Sequence, residues 1–237
     1  METDGQILGY VKHETGGANN RKAELTDQFA CRLCGSTSCR RRLDGWNREL
    51  IECSECSLIF VPRRYHLGAD KERRRYALHN NSMHDAGYLK YLRGFRRELL
   101  AVPISKPSVL DFGSGRECVL TRLLRDEGLW AHAYDPLYDI GKDALQRRYD
   151  LVVMCEVIEH LRNLRDELAL VRRCCVDGGY VVIRTETYTD VTDFGSWWYA
   201  ADPTHINFFH PKTMSVVAQF LQMKIRGGNR RNIFVLG

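Results

Sequence analysis

The spacing of apolar residues predicts an α/β fold for the second half of the chain. Four short apolar runs predict buried strands, and apolar positions at helical spacing lie between them. The four runs are residues 109–110, 130–134, 150–155 and 180–184. A further helix over 212–222 precedes two short runs, 223–226 and 232–236, which we expect to close the sheet as an antiparallel hairpin. Strands that alternate with helices form a mainly parallel sheet with helices on both faces.

Polarity and residue type divide the chain into four parts. A polar leader that we expect to be flexible precedes a segment of paired cysteines, a largely helical segment and the α/β core. These parts cover residues 1–28, 29–64, 65–106 and 107–237. In the helical part, the run from His79 to Tyr88 is either a lid over a ligand site or a loop held by its own side-chain hydrogen bonds.

The first strand of the core ends in a glycine-rich turn with an acid on each side. Asp111 precedes Gly113 and Gly115, and Asp135 follows the next strand. Glycines let a ligand approach the backbone, and a carboxylate after the second strand can accept hydrogen bonds from a ribose diol. An acid before the glycines would repel a pyrophosphate but can hold a cationic amino-acid end. These features favour S-adenosylmethionine over a dinucleotide.

This D-x-G-x-G turn resembles the first motif of the class I S-adenosylmethionine-dependent methyltransferases, usually D/E-x-G-x-G-x-G. Glu117 stands where the third glycine would be. The resemblance implies a Rossmann-like sheet in which the turn, from Asp111 to Gly115, holds the methionine end of the cofactor and Asp135 its ribose. Such a sheet has a further strand and helix where this chain has only residues 139–149, so we expect that edge to be trimmed.

Four cysteines in the second part have the spacing of a zinc site, C-x2-C-x18-C-x2-C. They are Cys31, Cys34, Cys53 and Cys56. Each pair can form a tight knuckle, and four thiolates complete a tetrahedral zinc site with no open position, so we expect a structural ion in a small zinc ribbon. A ribbon before such a core resembles the ribosomal RNA guanine methyltransferases with a zinc finger and the deoxysugar C-methyltransferases.

Two acids and two histidines form the candidate catalytic group. Glu156, Glu159 and His160 follow the third strand. His205 lies in an aromatic stretch, residues 185–211, that we expect to form a wall of the acceptor pocket. Carboxylates and imidazoles suit a divalent ion such as Mg²⁺, Mn²⁺ or Zn²⁺. Without an ion, His160 or His205 is the candidate general base. The resemblance to methyltransferases that carry Glu-His here without a metal implies that Glu156 caps a helix or touches the cofactor.

The same E-V-x-E-H and T-H pattern is similar to the ubiquinone-biosynthesis O-methyltransferases. It is also similar to the small-RNA 3′-terminal 2′-O-methyltransferases, in which such residues hold a metal on a ribose diol. The resemblance implies methyl transfer to an oxygen or nitrogen of an acceptor between residues 156–160 and 197–205. A metal-assisted RNA methyltransferase is one alternative, and a non-catalytic binding module on a degenerate core is another.

Charge and composition limit the partners. Residues 1–106 carry a net charge of +6 and residues 107–237 one of −1. Arginine clusters in the first half can bind phosphate, so the acceptor class stays open between a small molecule and RNA. No apolar run approaches about 20 residues, and the start of the chain lacks a signal core. With nine cysteines and no such signal, we expect a cytoplasmic protein without a membrane partner.

Overall fold

The computed structural model describes residues 29–43, 46, 48–78 and 81–237. The strands in these residues are β1 (Cys39–Leu43), β2 (Glu49–Cys53), β3 (Ile59–Phe60), β4 (Val109–Phe112), β5 (Ala131–Tyr134), β6 (Tyr149–Cys155), β7 (Cys175–Arg184), β8 (Asn207–Phe208), β9 (Ile225–Gly227) and β10 (Ile233–Leu236). The helices are α1 (Ala69–Tyr76), α2 (Ala86–Leu100), α3 (Val119–Asp126), α4 (Leu164–Cys174), α5 (Trp198–Ala201) and α6 (Pro211–Phe220). The leader, 1–28, and the start of the run from His79 to Tyr88 lie outside the described residues.

Six strands form the main sheet, in the order β5-β4-β6-β7-β10-β9. Strands β5, β4, β6 and β7 are parallel, and β10 lies antiparallel between β7 and β9 as the last two apolar runs predict. Between β5 and β6 the chain forms a short 3-10 helix, Lys142–Gln146, and β5 is the edge strand. The predicted Rossmann-like α/β fold with a trimmed edge is therefore confirmed.

Helices cover both faces of this sheet because its central strands are apolar on both sides. All four residues of β4 are buried, which leaves no face for solvent. On one face, Leu92 and Phe95 of α2 pack with Leu120 and Leu124 of α3. The other face carries buried residues of α4 and α6. No helix in the described part of the chain combines the length and apolarity needed to cross a bilayer.

Strand β7 begins earlier than its apolar run predicts. The run indicates a strand from Tyr180 after a turn at 177–179, yet β7 starts at Cys175. Tyr149 of β6 pairs with Cys175 and Leu151 pairs with Tyr180, so residues 176–179 bulge out of the ladder. Gly178 takes a φ of +75° in this bulge, a conformation that favours glycine. The predicted turn is therefore present as a bulge within one strand.

A second sheet joins the cysteine-rich segment to the aromatic stretch. Its order is β1-β2-β3-β8, and β8 comes from residues 185–211. Phe208 of β8 is fully buried, together with Leu50 and Ile59 from the first part of the chain. The aromatic stretch therefore packs on the cysteine-rich hairpin, which shields rings such as Phe194 and Phe208 from water, while Trp198 stays exposed.

Candidate functional site

The two glycines of the turn after β4 have different surroundings. Gly113 has a φ of +81°, and a Cβ placed on it would lie 2.5 Å from Val157 Cγ2. Gly115 has a φ of +67°, and a Cβ there would meet no atom within 4 Å. Gly113 is needed for close packing against the loop after β6, whereas the space beside Gly115 is open to a ligand.

Asp111 is buried behind the turn. Its side chain accepts hydrogen bonds from Thr121 N at 3.1 Å and Thr121 Oγ1 at 2.7 Å. Burial raises the pKa of this carboxyl to about 6, although both bonds from Thr121 oppose the shift. Asp111 thus ties β4 to the first turn of α3, and its contact with the methionine end of a cofactor stays a prediction.

Asp135 lies at the end of β5, next to the glycine turn. Its Oδ2 accepts from Gly115 N at 2.9 Å, and its Oδ1 accepts from Leu137 N at 2.9 Å and Tyr138 N at 3.3 Å. Burial raises the pKa of Asp135, while these three bonds favour the ionised form. The predicted ribose acid and the predicted cofactor turn are thus in direct contact at neighbouring strand ends.

Glu156 directly follows β6 and adopts a left-handed φ of +54°. Its Oε1 accepts from Tyr91 Oη at 2.7 Å and lies 3.3 Å from Arg184 Nε. Burial, followed by the nearby charge of Glu159, raises the pKa of Glu156 to about 8. A non-glycine residue in this conformation is strained, so the contacts around Glu156 must hold it in place.

Glu159, His160 and His205 come together. The first two lie in a 3-10 turn, Ile158–His160, and His205 comes from the aromatic stretch. One ligand atom from each of the three lies within 4.8 Å of the others, and Glu159 Oε1 is 3.8 Å from His160 Nε2. Glu159 is completely buried, and its Oε1 has no hydrogen-bond partner among the residues that the structure describes.

Backbone carbonyls set the tautomer of both imidazoles. His160 Nδ1 lies 3.0 Å from Thr204 O, and His205 Nδ1 lies 2.7 Å from Tyr199 O. A carbonyl only accepts, so each Nδ1 carries the proton and each Nε2 keeps a lone pair. Burial, and then the nearby His160, lower the pKa of His205 to about 3, and burial also lowers the pKa of His160. Both rings are therefore neutral near pH 7.

Hydroxyl groups link Glu156 to Glu159. Thr185 Oγ1 donates to Glu159 Oε2 at 3.0 Å and lies 3.0 Å from Tyr199 Oη, which donates to Glu156 Oε2 at 3.3 Å. Neither Thr185 nor Tyr91 is among the site residues that the sequence predicts. The position of Thr185 directly after a parallel strand was a usable signal, because ligand-facing residues gather there. No pattern in α2 distinguishes Tyr91 from its apolar neighbours.

Helix α1 covers the histidines from outside. The ring of Tyr76 meets that of His160 edge-on, with centroids 5.3 Å apart. Arg75 pairs with Asp202 at 2.8 Å, and Glu72 pairs with Arg162 at 2.7 Å. Further along the same segment, Asp85 of the run from His79 to Tyr88 caps α2 by accepting from Tyr88 N at 2.6 Å. This bond is of the kind expected for a loop held by its own side-chain hydrogen bonds, and the lid over a ligand site stays a prediction.

The four cysteines of the zinc motif also come together. Cys31 Sγ lies 3.5 Å from Cys56 Sγ, and Cys34 Sγ lies 3.6 Å from Cys53 Sγ. Sulfurs bound to one tetrahedral zinc at about 2.3 Å would be roughly 3.8 Å apart, which fits these separations. After each pair the backbone turns through a left-handed residue, Gly35 at φ +78° and Ser57 at φ +58°.

A family model described as "Methyltransferase domain" matches residues 84–222, more than half of the chain. The chain therefore belongs to this methyltransferase family. The matched segment begins in the helical part before β4 and ends after α6. The expected class of enzyme is confirmed at the level of the family.

Several solved structures resemble the chain at low identity. One is CalO1, a methyltransferase in calicheamicin biosynthesis, in its SAH-bound form, at 15% identity and a TM-score of 0.45; the match covers 64% of this chain and 58% of CalO1. Another is a SAM-dependent methyltransferase from Archaeoglobus fulgidus, at 22% identity and a TM-score of 0.47, covering 63% of this chain and 74% of that one.

A third is the 1,6-didemethyltoxoflavin-N1-methyltransferase of Burkholderia thailandensis, at 13% identity and a TM-score of 0.49, covering 83% of this chain and 97% of that one. No curated protein sequence matches the chain. The family assignment therefore rests on the family model.

The contrast between the two glycines generates a stability prediction. We expect Gly115→Ala to lower the free energy of unfolding by about 1–2 kcal/mol, the cost of a side chain at positive φ. Gly113→Ala should cost roughly 1–3 kcal/mol more, because its Cβ would also overlap Val157. Urea denaturation of both variants measures the difference. Equal losses would show that packing against Val157 is not the constraint at Gly113.

Proposed function

We propose that this protein transfers a methyl group from S-adenosylmethionine to an oxygen or nitrogen of an acceptor. The acceptor would lie between Glu156–His160 and the stretch 197–205. The observation that carries the proposal is the meeting of Gly115 and Asp135 at neighbouring strand ends, with open space beside Gly115. Ligands of open α/β sheets bind at these carboxyl ends, and membership of the methyltransferase family supports the reaction class.

Each cofactor residue has a separate task in this proposal. Asp135 Oδ2 now accepts from Gly115 N, so a ribose hydroxyl would donate to Asp135 in addition to that amide or in place of it. Asp111 would act from behind the turn, where it fixes α3 through Thr121. The sulfonium is already activated, so alignment of the acceptor in a pocket that excludes water would supply most of the acceleration.

Asp135→Asn tests the ribose contact. Loss of the charged acceptor should weaken binding of S-adenosylmethionine or S-adenosylhomocysteine by roughly 10- to 100-fold in calorimetry. The matched control is Asp139→Asn, since Asp139 is exposed and its carboxylate pairs with Lys142 Nζ at 2.7 Å. Unchanged affinity in Asp135→Asn would refute the ribose contact. No binding by the unaltered chain at millimolar ligand would favour the alternative, a non-catalytic binding module.

A second candidate function is metal-assisted methylation of one of two neighbouring hydroxyls, as on a ribose or another diol. The buried Oε1 of Glu159 has no hydrogen-bond partner in the described part of the chain, and each imidazole keeps an Nε2 lone pair. Both features support a divalent ion held by Glu159, His160 and His205. Glu156 is not in this group, since its carboxylate is held by Tyr91 and Arg184. A bound ion would lower the pKa of the acceptor hydroxyls and orient them.

The alternative role of these histidines, general base, has less support. A general base works best when its pKa is near the working pH, and that of His205 is lowered to about 3. A neutral imidazole whose Nδ1 proton is bonded to a carbonyl is the form that binds a metal through Nε2. Two imidazoles with one carboxylate favour Mn²⁺ or Zn²⁺ over Mg²⁺.

The acceptor class is a proposal as well. The arginine cluster on β1 offers limited support for RNA, because acids on β2 are its partners. Glu52 accepts from Arg40 at 3.0 Å and from Arg42 at 3.3 Å, and Arg41 lies 2.8 Å from Glu49. Phosphates would have to compete with these pairs, so a small-molecule acceptor is the simpler proposal and RNA the alternative.

Direct binding of Mn²⁺ tests the metal candidate. We expect the full chain to bind Mn²⁺, seen as loss of the free-ion electron paramagnetic resonance signal. His205→Ala and Glu159→Gln should each weaken this binding at least about tenfold, since each removes a ligand. His84→Ala replaces an exposed histidine and should leave it unchanged. Mn²⁺ binding of equal strength in His205→Ala would rule out the assigned site.

We also propose that Cys31, Cys34, Cys53 and Cys56 hold a structural zinc. Cobalt substitution tests this, because only thiolates give intense sulfur-to-cobalt absorption and the Glu159–His160–His205 group has none. Cys34→Ser should weaken that absorption or its affinity at least about tenfold. Cys39→Ser is the control: Cys39 donates to Ser36 O at 3.5 Å and stands outside the four-cysteine group. If both variants behaved alike, the four-cysteine assignment would be wrong.

A further inference from the structure

Arg48, just before β2, reaches from the cysteine-rich hairpin to the segment that carries His205. Its Nη1 donates to His205 O at 3.0 Å, and its Nη2 donates to Ala200 O. The guanidinium also lies over the ring of Phe208, 5.7 Å from its centroid. One side chain thus binds the backbone on both sides of the turn at 201–204.

The same segment orients both imidazoles of the candidate metal group. Tyr199 O accepts from His205 Nδ1, and Thr204 O accepts from His160 Nδ1. Inside the turn, Asp202 Oδ1 accepts from Thr204 N at 2.9 Å and from Thr204 Oγ1 at 2.6 Å. A shift of this backbone by even half an ångström would lengthen the bonds that fix the two ring tautomers.

We propose that Arg48 is a positioning residue: from the hairpin, it fixes the backbone of residues 200–205 so that His160 and His205 direct their Nε2 atoms towards Glu159. The inference rests on the proposed function, because it concerns the residues assigned there to the acceptor site. Arginine suits this task since its planar fork satisfies two carbonyls at once, which a lysine ammonium matches poorly.

The imidazole tautomers provide the test, because they report ring orientation without any metal, cofactor or acceptor. In ¹⁵N-labelled full-length protein, long-range proton–nitrogen spectra should show His160 and His205 protonated at Nδ1. In Arg48→Ala, we expect His205 to lose that single tautomer and to adopt the mixture of a free imidazole, in which the Nε2–H form predominates. Arg48→Lys should restore the Nδ1–H form in part.

Arg40→Ala is the matched control, because Arg40 is on the same hairpin, pairs with Glu52 and has a side chain that is 70% exposed. It should leave both tautomers unchanged. A folded Arg48→Ala protein with His205 still fully protonated at Nδ1 would overturn the inference. If Arg48→Ala does not fold, Arg48→Lys takes its place. Unchanged tautomers of both rings in Arg48→Lys, together with reduced thermal stability, would show that Arg48 only stabilises the fold and would also overturn the inference.

Calorimetry with S-adenosylhomocysteine separates this inference from the proposed function. Arg48 contacts the aromatic stretch, whereas Gly115 and Asp135 lie at the β4–β5 end of the sheet, so Arg48→Ala should keep the affinity of the unaltered chain. Absence of binding in the unaltered chain, with the tautomers as expected, would count against the methyltransferase proposal only. Altered tautomers with intact binding support Arg48 as a positioning residue.

Discussion

Two backbone hydrogen bonds of Ile206 connect the three parts of the molecule on which the site depends. Its N–H donates to Glu159 O at 2.9 Å, in the turn after β6, and its carbonyl accepts from Val61 N at 2.9 Å, just after β3. One residue of the aromatic stretch therefore joins the main sheet to the cysteine-rich hairpin. Because buried peptide groups must be paired, none of the three can move without exposing or orphaning polar atoms.

This connection explains how Glu159 comes to be buried beside two histidines. Water is excluded from Glu159, and burial is the largest cause of the raised pKa values of both Glu156 and Glu159. A fully buried carboxyl such as that of Glu159 requires either a proton or a compensating cation. Arg184 supplies positive charge to Glu156, while Glu159 faces neutral imidazoles. The divalent ion of the second candidate function would supply positive charge at Glu159, which the two neutral imidazoles beside it do not.

The cysteine-rich hairpin is bonded to the core of the fold and is not a separate appendage. Thr213 Oγ1 of α6 donates to Cys56 O at 2.8 Å, and Arg165 of α4 donates to Leu33 O at 3.0 Å. Together with the bonds from Arg48 to His205 O and Ala200 O, these contacts join the hairpin to several elements of the core. A metal bound by these four cysteines would therefore stabilise a hairpin that is bonded to α4, to α6 and to the backbone at residues 200 and 205.

The sequence by itself determined the local features of this protein. Apolar periodicity gave the core helices and strands, with the bulge at 176–179 in β7 as the main difference, and the glycine turn and cysteine spacing marked two groups that the fold assembles. The tertiary structure alone decided which acid joins which histidine. Glu156 contacts Tyr91 and Arg184, whereas Glu159 lies beside His205. The sequence could not predict these contacts, because each partner lies more than twenty residues away along the chain. Periodicity and spacing describe neighbours within one element, whereas contacts between elements are set by how strands, turns and the hairpin pack together.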